Sequence, residues 1–465
     1  MTLRQVQVVG AGLAGCEAAW QLACRDVPVT LTEMKPVQMS PAHHLPTLSE
    51  LVCSNSLRAA RLENAVGLLK EEMRRLGSLI IDCADQSALP AGGALAVDRE
   101  QFSRLVTQRI DAHPLISRVC ARADAIPDDE LVIVATGPLT DSTFFDAINS
   151  ALGTTPLHFF DAAAPIVEAD SVDMSIAFRQ SRYGRGGDDY INCPLDEAEY
   201  DAFWQALTSA RTADVHDFDR RQIFEGCMPI EIMAARGRDT IRFGPLKPVG
   251  LTDPRTGREP YACVQLRQDN HAASLYNLVG FQTRLAFPEQ QRVFRLIPGL
   301  EQAVFVRYGV MHRNTYLPSP QVLDADYSVR QREGLYFAGQ ITGVEGYVES
   351  AASGLVAGWQ AALQYSGLSR PERLARLPGN QTVIGSLGDY ISDERIRHFQ
   401  PMNANFGLVA DLEEKGRIKK EVRLRLMIER SLARIDQLAA EDHLRSRFVH
   451  KSDGISMHPE PYNNV

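Results

Sequence analysis

Several things are missing from this sequence, and each absence narrows its function. No apolar run reaches the length needed to cross a bilayer, and no charged leader precedes a long apolar segment, so neither a membrane span nor export is expected. The eight cysteines (16, 24, 53, 83, 120, 193, 227 and 263) are scattered, without a CxxC pair or a Cys/His cluster at zinc spacing. A reduced, cytoplasmic, metal-free protein is the simplest reading. There is no internal repeat and no low-complexity tract. Positive charge is also short: 49 Lys and Arg against 58 Asp and Glu leave a net charge of −9. The global field repels phosphates, so a nucleic-acid partner would have to be met by a local basic face. What is present is ordinary soluble composition over 465 residues, too long for one compact core, and therefore two or three domains.

The first fifteen residues organise the rest. An apolar strand, Val6-Gln7-Val8-Val9, runs into Gly10-Ala11-Gly12-Leu13-Ala14-Gly15 and then a helical run from Cys16. Gly10 permits the tight turn, Gly12 lets the backbone approach a pyrophosphate, and Gly15 lets the helix pack closely on the strand, with the helix N-terminus facing the phosphates. A second strand, Val27 to Thr32, ends at Glu33, at the spacing where a carboxylate accepts from a ribose diol. Asp98 is a plausible N-cap of a later helix. Leu131 to Gly137 is a continuous apolar strand ending in Ala135-Thr136-Gly137, read as buried on both faces of a parallel sheet. A strand ending in Ala-Thr-Gly resembles the one with which two-dinucleotide-fold flavoproteins approach the flavin, which favours FAD over a plain NAD domain.

From about Ala164 to Leu300 the texture changes to short alternating segments and polar turns such as Tyr183-Gly184-Arg185-Gly186-Gly187-Asp188. The dinucleotide pattern then resumes with Gly334 to Gln340, the loop holding Gly343 and Gly346, and a small-residue helix over 351–358. The expected class is α/β: a Rossmann-like FAD-binding domain of two-dinucleotide-fold, GidA-like type, formed by 1–163 and 306–400. An α+β domain over 164–305 is inserted in it, and a C-terminal helical segment and tail occupy 401–465. Gly339, Gln340, Gly343 and Gly346 join Gly10 to Gly15, Glu33, Thr136 and Gly137 as expected cofactor contacts. Gln340 stands where many FAD proteins carry an acid, so amides and backbone N–H groups are expected to contact the ribityl and phosphate there.

Two cysteines stand apart through their neighbours. Cys53 lies in Glu50-Leu51-Val52-Cys53-Ser54-Asn55-Ser56-Leu57-Arg58, on a loop where the chain passes near the cofactor. Cys227 lies between Gly226 and Pro229, on a constrained turn. Spacing alone leaves both open between buried small hydrophobes and activated thiolates, the latter needing nearby positive charge from residues such as Arg58, Arg61, Arg236 or Arg238.

These segments, together with Arg242 to Leu251, Val264 to Asn270, Tyr276 to Thr283, Val306 to Thr315 and Pro401 to Gly407, resemble the TrmFO family over nearly the whole chain. That family comprises the folate- and FAD-dependent tRNA (uracil-5-)-methyltransferases of bacteria. The resemblance implies methylation of the T-loop uridine, position U54, at C5. The carbon donor would be 5,10-methylenetetrahydrofolate, reduced FAD the methylene carrier and reductant, and NADPH or NADH the electron source. Departures are few: Gly379-Asn380-Gln381-Thr382 replaces a Thr-Thr-Ala stretch, and Cys16 replaces a commoner serine.

The implied chemistry suits the residue types. Methylenetetrahydrofolate supplies carbon two electrons short of a methyl group, so a redox cofactor must accompany transfer. Uracil C5 is a poor nucleophile until a thiolate adds to C6. By resemblance the catalytic thiols are Cys53 and Cys227, one adding to C6 and the other assisting, with the two roles open, and His312 stacks on the pterin. The tRNA, met at its T-arm, would be held by Arg236 and Arg238 beside Cys227 and by Arg182 and Arg185 of the insertion loop, with Lys415 to Lys420 a weaker candidate because Asp411, Glu413 and Glu414 precede it. No membrane, DNA or obligate protein partner is expected. A GidA-type enzyme of wobble uridine, which would be longer, and an rRNA methyltransferase are the nearest rivals. A flavin-bearing RNA-binding module without turnover would need no thiol beside the flavin.

Overall fold

A computed structural model describes residues 5–40, 42–129, 131–155, 157–184, 186–213, 228–412 and 419–442, with the backbone alone at 159–161, 312 and 313. The first strand, Val6–Val9, is the middle of a five-stranded parallel sheet. Its neighbours run Leu335–Phe337, Val132–Val134, Val6–Val9, Val29–Glu33, Ile116–Cys120 in spatial order. All three residues of Val132–Val134 are buried, as expected of a strand covered on both faces. The ladder ends at Val134, short of the expected end at Gly137: Ala135 to Gly137 leave it as irregular backbone that leads into a turn at Pro138 and Leu139.

The helix Leu13–Ala23 packs against Tyr347–Tyr365 so closely that side chains are excluded between them. A Cβ added at Gly354 would stand 2.2 Å from the Ala14 carbonyl oxygen, and one at Gly358 would stand 2.6 Å from that of Ala18. This helix begins at Tyr347, four residues before the small-residue run, because Gly346 at φ +114 turns the chain directly into it. Asp98 does cap its helix, accepting from the Gln101 N–H at 2.9 Å, and Ser78 caps another by accepting from Ile81.

The segment between is a six-stranded antiparallel sheet in the order Phe178–Arg179, Tyr190–Leu195, Ala262–Gln268, Leu275–Leu278, Ile166–Glu168, Phe305–Arg307. Its core, which includes Tyr200, Phe203, Phe281 and Phe294, is separate from that of the parallel sheet. The two are joined by the antiparallel pair Leu157–Ala162 and Met311–Tyr316.

Within the expected C-terminal segment the helix is Lys420–Glu441, and residues 413–418, which hold most of the Lys415 to Lys420 run, lie outside the described residues. Glu72 ties it in: its buried carboxylate accepts from Val383 N at 2.8 Å, Ile384 N at 2.7 Å and Ser431 Oγ at 2.5 Å. Burial pushes this carboxyl up to about 7, against the pull of those three donors. Among the described residues no helix is long and apolar enough to cross a membrane.

Candidate functional site: a dinucleotide cleft and a second cavity sharing one thiol

The glycine turn works as its spacing demands. Gly10 has φ +95, and a Cβ there would stand 2.6 Å from the Ala135 carbonyl oxygen; one at Gly15 would stand 1.8 Å from the Gly10 carbonyl oxygen. Gly12 differs, since an added Cβ would meet nothing within 4 Å. The first two glycines are required by the protein's own packing, whereas the third opens onto a cleft. That cleft has an empty volume of about 1110 Å³ and runs past Gly10 to Ala14, Glu33, Thr136, Gly137, Gly339 and Gln340 to Cys53 and Tyr347. The open space at Gly12, beside the N-terminus of Leu13–Ala23, suits the pyrophosphate of a dinucleotide.

Glu33 is buried, and both oxygens are already engaged: Oε2 accepts from Ala11 N at 2.7 Å and Oε1 from Lys35 N at 3.0 Å. Each oxygen keeps a second lone pair for a ribose hydroxyl. Gly339 N–H donates to Ser353 Oγ at 2.7 Å and Gln340 Nε2 to Glu345 Oε2 at 2.5 Å, so these two donors serve the protein. Gly343 and Gly346 lie off the cleft. Gly343 gives room to Phe399, whose ring would be 2.4 Å from an added Cβ, and Gly346 lines the neighbouring cavity.

Cys53 sits on a loop clamped between the two sheets. Arg99 donates to the carbonyls of Leu51 at 2.8 Å and Val52 at 3.2 Å while pairing with Asp269 at 3.1 Å. Arg267, 8% exposed, donates to Asn55 Oδ1 at 3.0 Å and Ser54 Oγ at 2.8 Å. The Tyr347 hydroxyl completes the clamp: its oxygen accepts from Cys53 N at 2.7 Å and Ser54 N at 3.2 Å, and stands 2.9 Å from Cys53 Sγ. With both lone pairs taken, its single proton points at the sulfur. Burial, and after it the charge of Cys53, pushes the Tyr347 phenol well above its ordinary value, so it remains a donor. A sulfur that accepts an O–H bond beside buried guanidinium groups is placed to carry negative charge.

Cys53, Gln340 and Tyr347 also line a second cavity with an empty volume of about 1100 Å³, whose far wall is the insertion sheet. One thiol therefore faces two chambers. By contrast Cys16, Cys24, Cys83, Cys193 and Cys263 are buried, and burial pushes the Cys16, Cys83 and Cys263 thiols up to about 12.

The other expected residues are placed unevenly. Cys227 and Arg185 lie outside the described residues. His312 is on the joining strand, paired in register with Asp161, and its side chain is likewise outside. Arg236 is exposed at the end of the helix Ile230–Ala235. Arg238 is held by Asp201 at 2.5 Å, Glu197 at 3.1 Å and the Tyr261 hydroxyl at 2.8 Å, so its charge is largely met within the protein. Arg182 donates to Gln265 Oε1 at 2.7 Å and the Val249 carbonyl at 3.0 Å. Tyr347, Arg99 and Arg267 were given no role from the sequence. Their signal is spatial: Tyr347 meets Cys53 across 294 positions of chain.

Comparison with known proteins agrees with this geometry. Residues 5–369 match the family described as glucose inhibited division protein A. Among solved structures, Aquifex aeolicus GidA superposes with a TM-score of 0.67 at 16% identity, over 95% of this chain and 74% of that one, a likeness of fold. Fold and cleft thus define a GidA-type dinucleotide-binding protein with a thiol on the cleft wall. A methylenetetrahydrofolate--tRNA-(uracil-5-)-methyltransferase TrmFO from Acetivibrio thermocellus is 59% identical over 416 residues, 90% of this chain and 94% of the relative. Its counterpart from Geotalea uraniireducens is 56% identical over 437 residues, 94% and 99% respectively. The chain belongs to the TrmFO family.

Proposed function

We propose that this protein methylates uridine at C5 in the T-loop of tRNA, position U54, taking its carbon from 5,10-methylenetetrahydrofolate and its electrons from NADPH or NADH. The observation that carries the reading is Cys53, a thiol 2.9 Å from the Tyr347 hydroxyl and shared by a dinucleotide cleft and a second cavity. Bound FAD would supply the two electrons that separate a methylene from a methyl group and would carry the one-carbon unit. Gly10 to Ala14 would hold its pyrophosphate and Glu33 its ribose, with Thr136, Gly137, Gly339 and Gln340 along the rest. His312 is the proposed stacking partner of the pterin.

The protein's own groups then handle the base. The target must leave the tRNA stack to reach the thiol. Addition of a thiolate to C6 moves the C5=C6 pair into an enolate shared by C5 and O4, which makes C5 nucleophilic. After C5 bonds to the incoming carbon, removal of the C5 proton expels the thiolate and restores the ring double bond. Cys53 and Cys227 divide these tasks. Arg236, with Arg238, Arg182 and Arg185, contributes the phosphate contacts that an acidic protein must concentrate in one place. The enzyme acts in the cytoplasm without an obligate protein partner, where its scattered cysteines stay reduced.

The test is incubation of purified flavin-loaded protein with methylenetetrahydrofolate, NADPH and a T-arm transcript, followed by nucleoside mass spectrometry. The expected product is 5-methyluridine at the T-loop position. Nicotinamide oxidation that leaves every uridine unmodified would overturn the proposal.

A further inference from the structure

The second cavity contains a feature that the chemistry above does not use. Asn277 lies on the strand Leu275–Leu278, paired with Arg267 on one side and Ile166 on the other, and lines the cavity that Cys53 faces. It is 2% exposed, and its Nδ2 has no hydrogen-bond partner among the described residues. Several polar side chains beside it are engaged. Arg267 reaches Ser54 and Asn55, Asn55 Nδ2 reaches the carbonyls of Val97 at 3.1 Å and Gln268 at 2.9 Å, and Asn403 Nδ2 reaches the Glu345 carbonyl at 2.7 Å. A buried donor without an acceptor is costly, and native proteins keep few of them. One that borders a cavity is satisfied when the cavity fills.

We infer that Asn277 Nδ2 donates to O4 of the target uracil and so makes the cavity specific for uracil over cytosine. The inference rests on the proposed methyl transfer and adds the group that reads the base. Uracil presents an acceptor at O4 where cytosine presents an amino donor, so a fixed N–H favours the first and meets a second donor in the other. The contact gains importance during the reaction. When the thiolate bonds to C6, the displaced π pair places negative charge on O4, and a preplaced, buried donor stabilises charge that develops there. Asn277 thus belongs to binding and to the enolate step at once, whereas phosphate contacts elsewhere set affinity without choosing the base.

The experiment measures kcat/KM for flavin-loaded wild type, Asn277→Leu and Asn277→Asp on T-arm transcripts with uridine or 4-thiouridine at the target position. Sulfur is the weaker acceptor. Leucine is expected to lower kcat/KM on uridine about 10- to 100-fold. Aspartate, which turns an acceptor towards O4, is expected to lower it further. FAD content, NADPH oxidation and transcript affinity should stay within about twofold of wild type, because phosphate contacts dominate affinity. Wild type should lose rate on 4-thiouridine, and Asn277→Leu should lose little more than it has already lost, since both changes remove the same bond. Wild-type rates for Asn277→Leu on uridine, or an equal 4-thiouridine penalty in both proteins, would overturn the inference. If the variants came out without flavin, the wild-type arm alone would decide, with no loss on 4-thiouridine overturning it. A wild type that methylates neither transcript would overturn the proposed activity itself, and the inference with it.

Discussion

The dinucleotide cleft and the cavity behind it share Cys53, Gln340 and Tyr347 but are built from different materials. The cleft is mostly backbone. It follows a parallel sheet, turns at Gly10, opens at Gly12 and is floored by a helix N-terminus, with Glu33 as its principal charged side chain. The cavity is mostly side chain: Ser54, Arg58, Arg267, Asn277, Gln282 and Asn403, fixed to the insertion sheet and to the loops that meet it. Backbone donors suit phosphates, which every dinucleotide carries. Side-chain donors at fixed positions suit the edge of one base. On the proposed reading, the molecule separates a generic cofactor site from a selective substrate site, with the thiol in the wall between them.

The largest effect should come from that wall. Cys53→Ala and Cys227→Ala should each lower methylation by about a thousandfold or more, because each removes one member of the thiol pair that the proposed addition and release use. Both proteins should still bind FAD and oxidise NADPH, as followed by absorbance. Ordinary methylation by both would return these cysteines to a packing role.

Within the cleft, two glycines should fail in different ways. Gly12→Val should fold normally and bind almost no FAD, since its side chain projects into the space left for pyrophosphate. Gly15→Val should lose roughly 3 kcal/mol or more of stability, because its Cβ has no room against the Gly10 carbonyl. Flavin absorbance and thermal denaturation separate the two outcomes. Retention of full FAD by Gly12→Val would show that the loop does not face the cofactor.

This difference explains what the sequence made legible. The glycine turn, Glu33 and the parallel strands could be read because each follows from local backbone requirements at short spacing. The same logic failed for Gly343, whose positive φ and lack of a side chain serve Phe399 and not the cleft: a glycine required for packing has the same sequence signature as one required for a ligand. The far cavity was least legible. Tyr347, Arg267 and Asn277 acquire meaning from which loop they meet, and Tyr347 is 294 positions from Cys53. Arg238 was singled out for its charge, but the carboxylates of Asp201 and Glu197 that meet it come from a helix over thirty positions away.

Tyr347→Phe sharpens the comparison, since it alters the shared wall alone. It removes the O–H donor to Cys53 Sγ and leaves the N–H groups of Cys53 and Ser54 without their acceptor. Methylation is expected to fall about 10- to 100-fold. Alkylation of Cys53 by iodoacetamide, followed by peptide mass spectrometry, should slow at a given pH, because loss of the donor disfavours the thiolate. Unchanged alkylation would mean that the phenol proton does not reach the sulfur.

A smaller effect belongs to the tRNA face. Arg236→Gln should weaken transcript binding several-fold and reduce the salt slope by about 1. Arg238→Gln should do less, because Asp201 and Glu197 already meet its charge. Filter binding across a salt series distinguishes them, and equal slopes in wild type and the double variant would place the tRNA on another face.

The claim that one thiol joins the cleft to the base cavity is tested most directly in cells lacking this protein and supplied with either the wild type or Cys53→Ala. Base-resolved analysis of their tRNA should show the T-loop uridine unmethylated in the deletion strain, methylated again with the wild type and still unmethylated with Cys53→Ala, although that variant retains its flavin. Full methylation in the deletion strain, or its restoration by Cys53→Ala, would contradict the account.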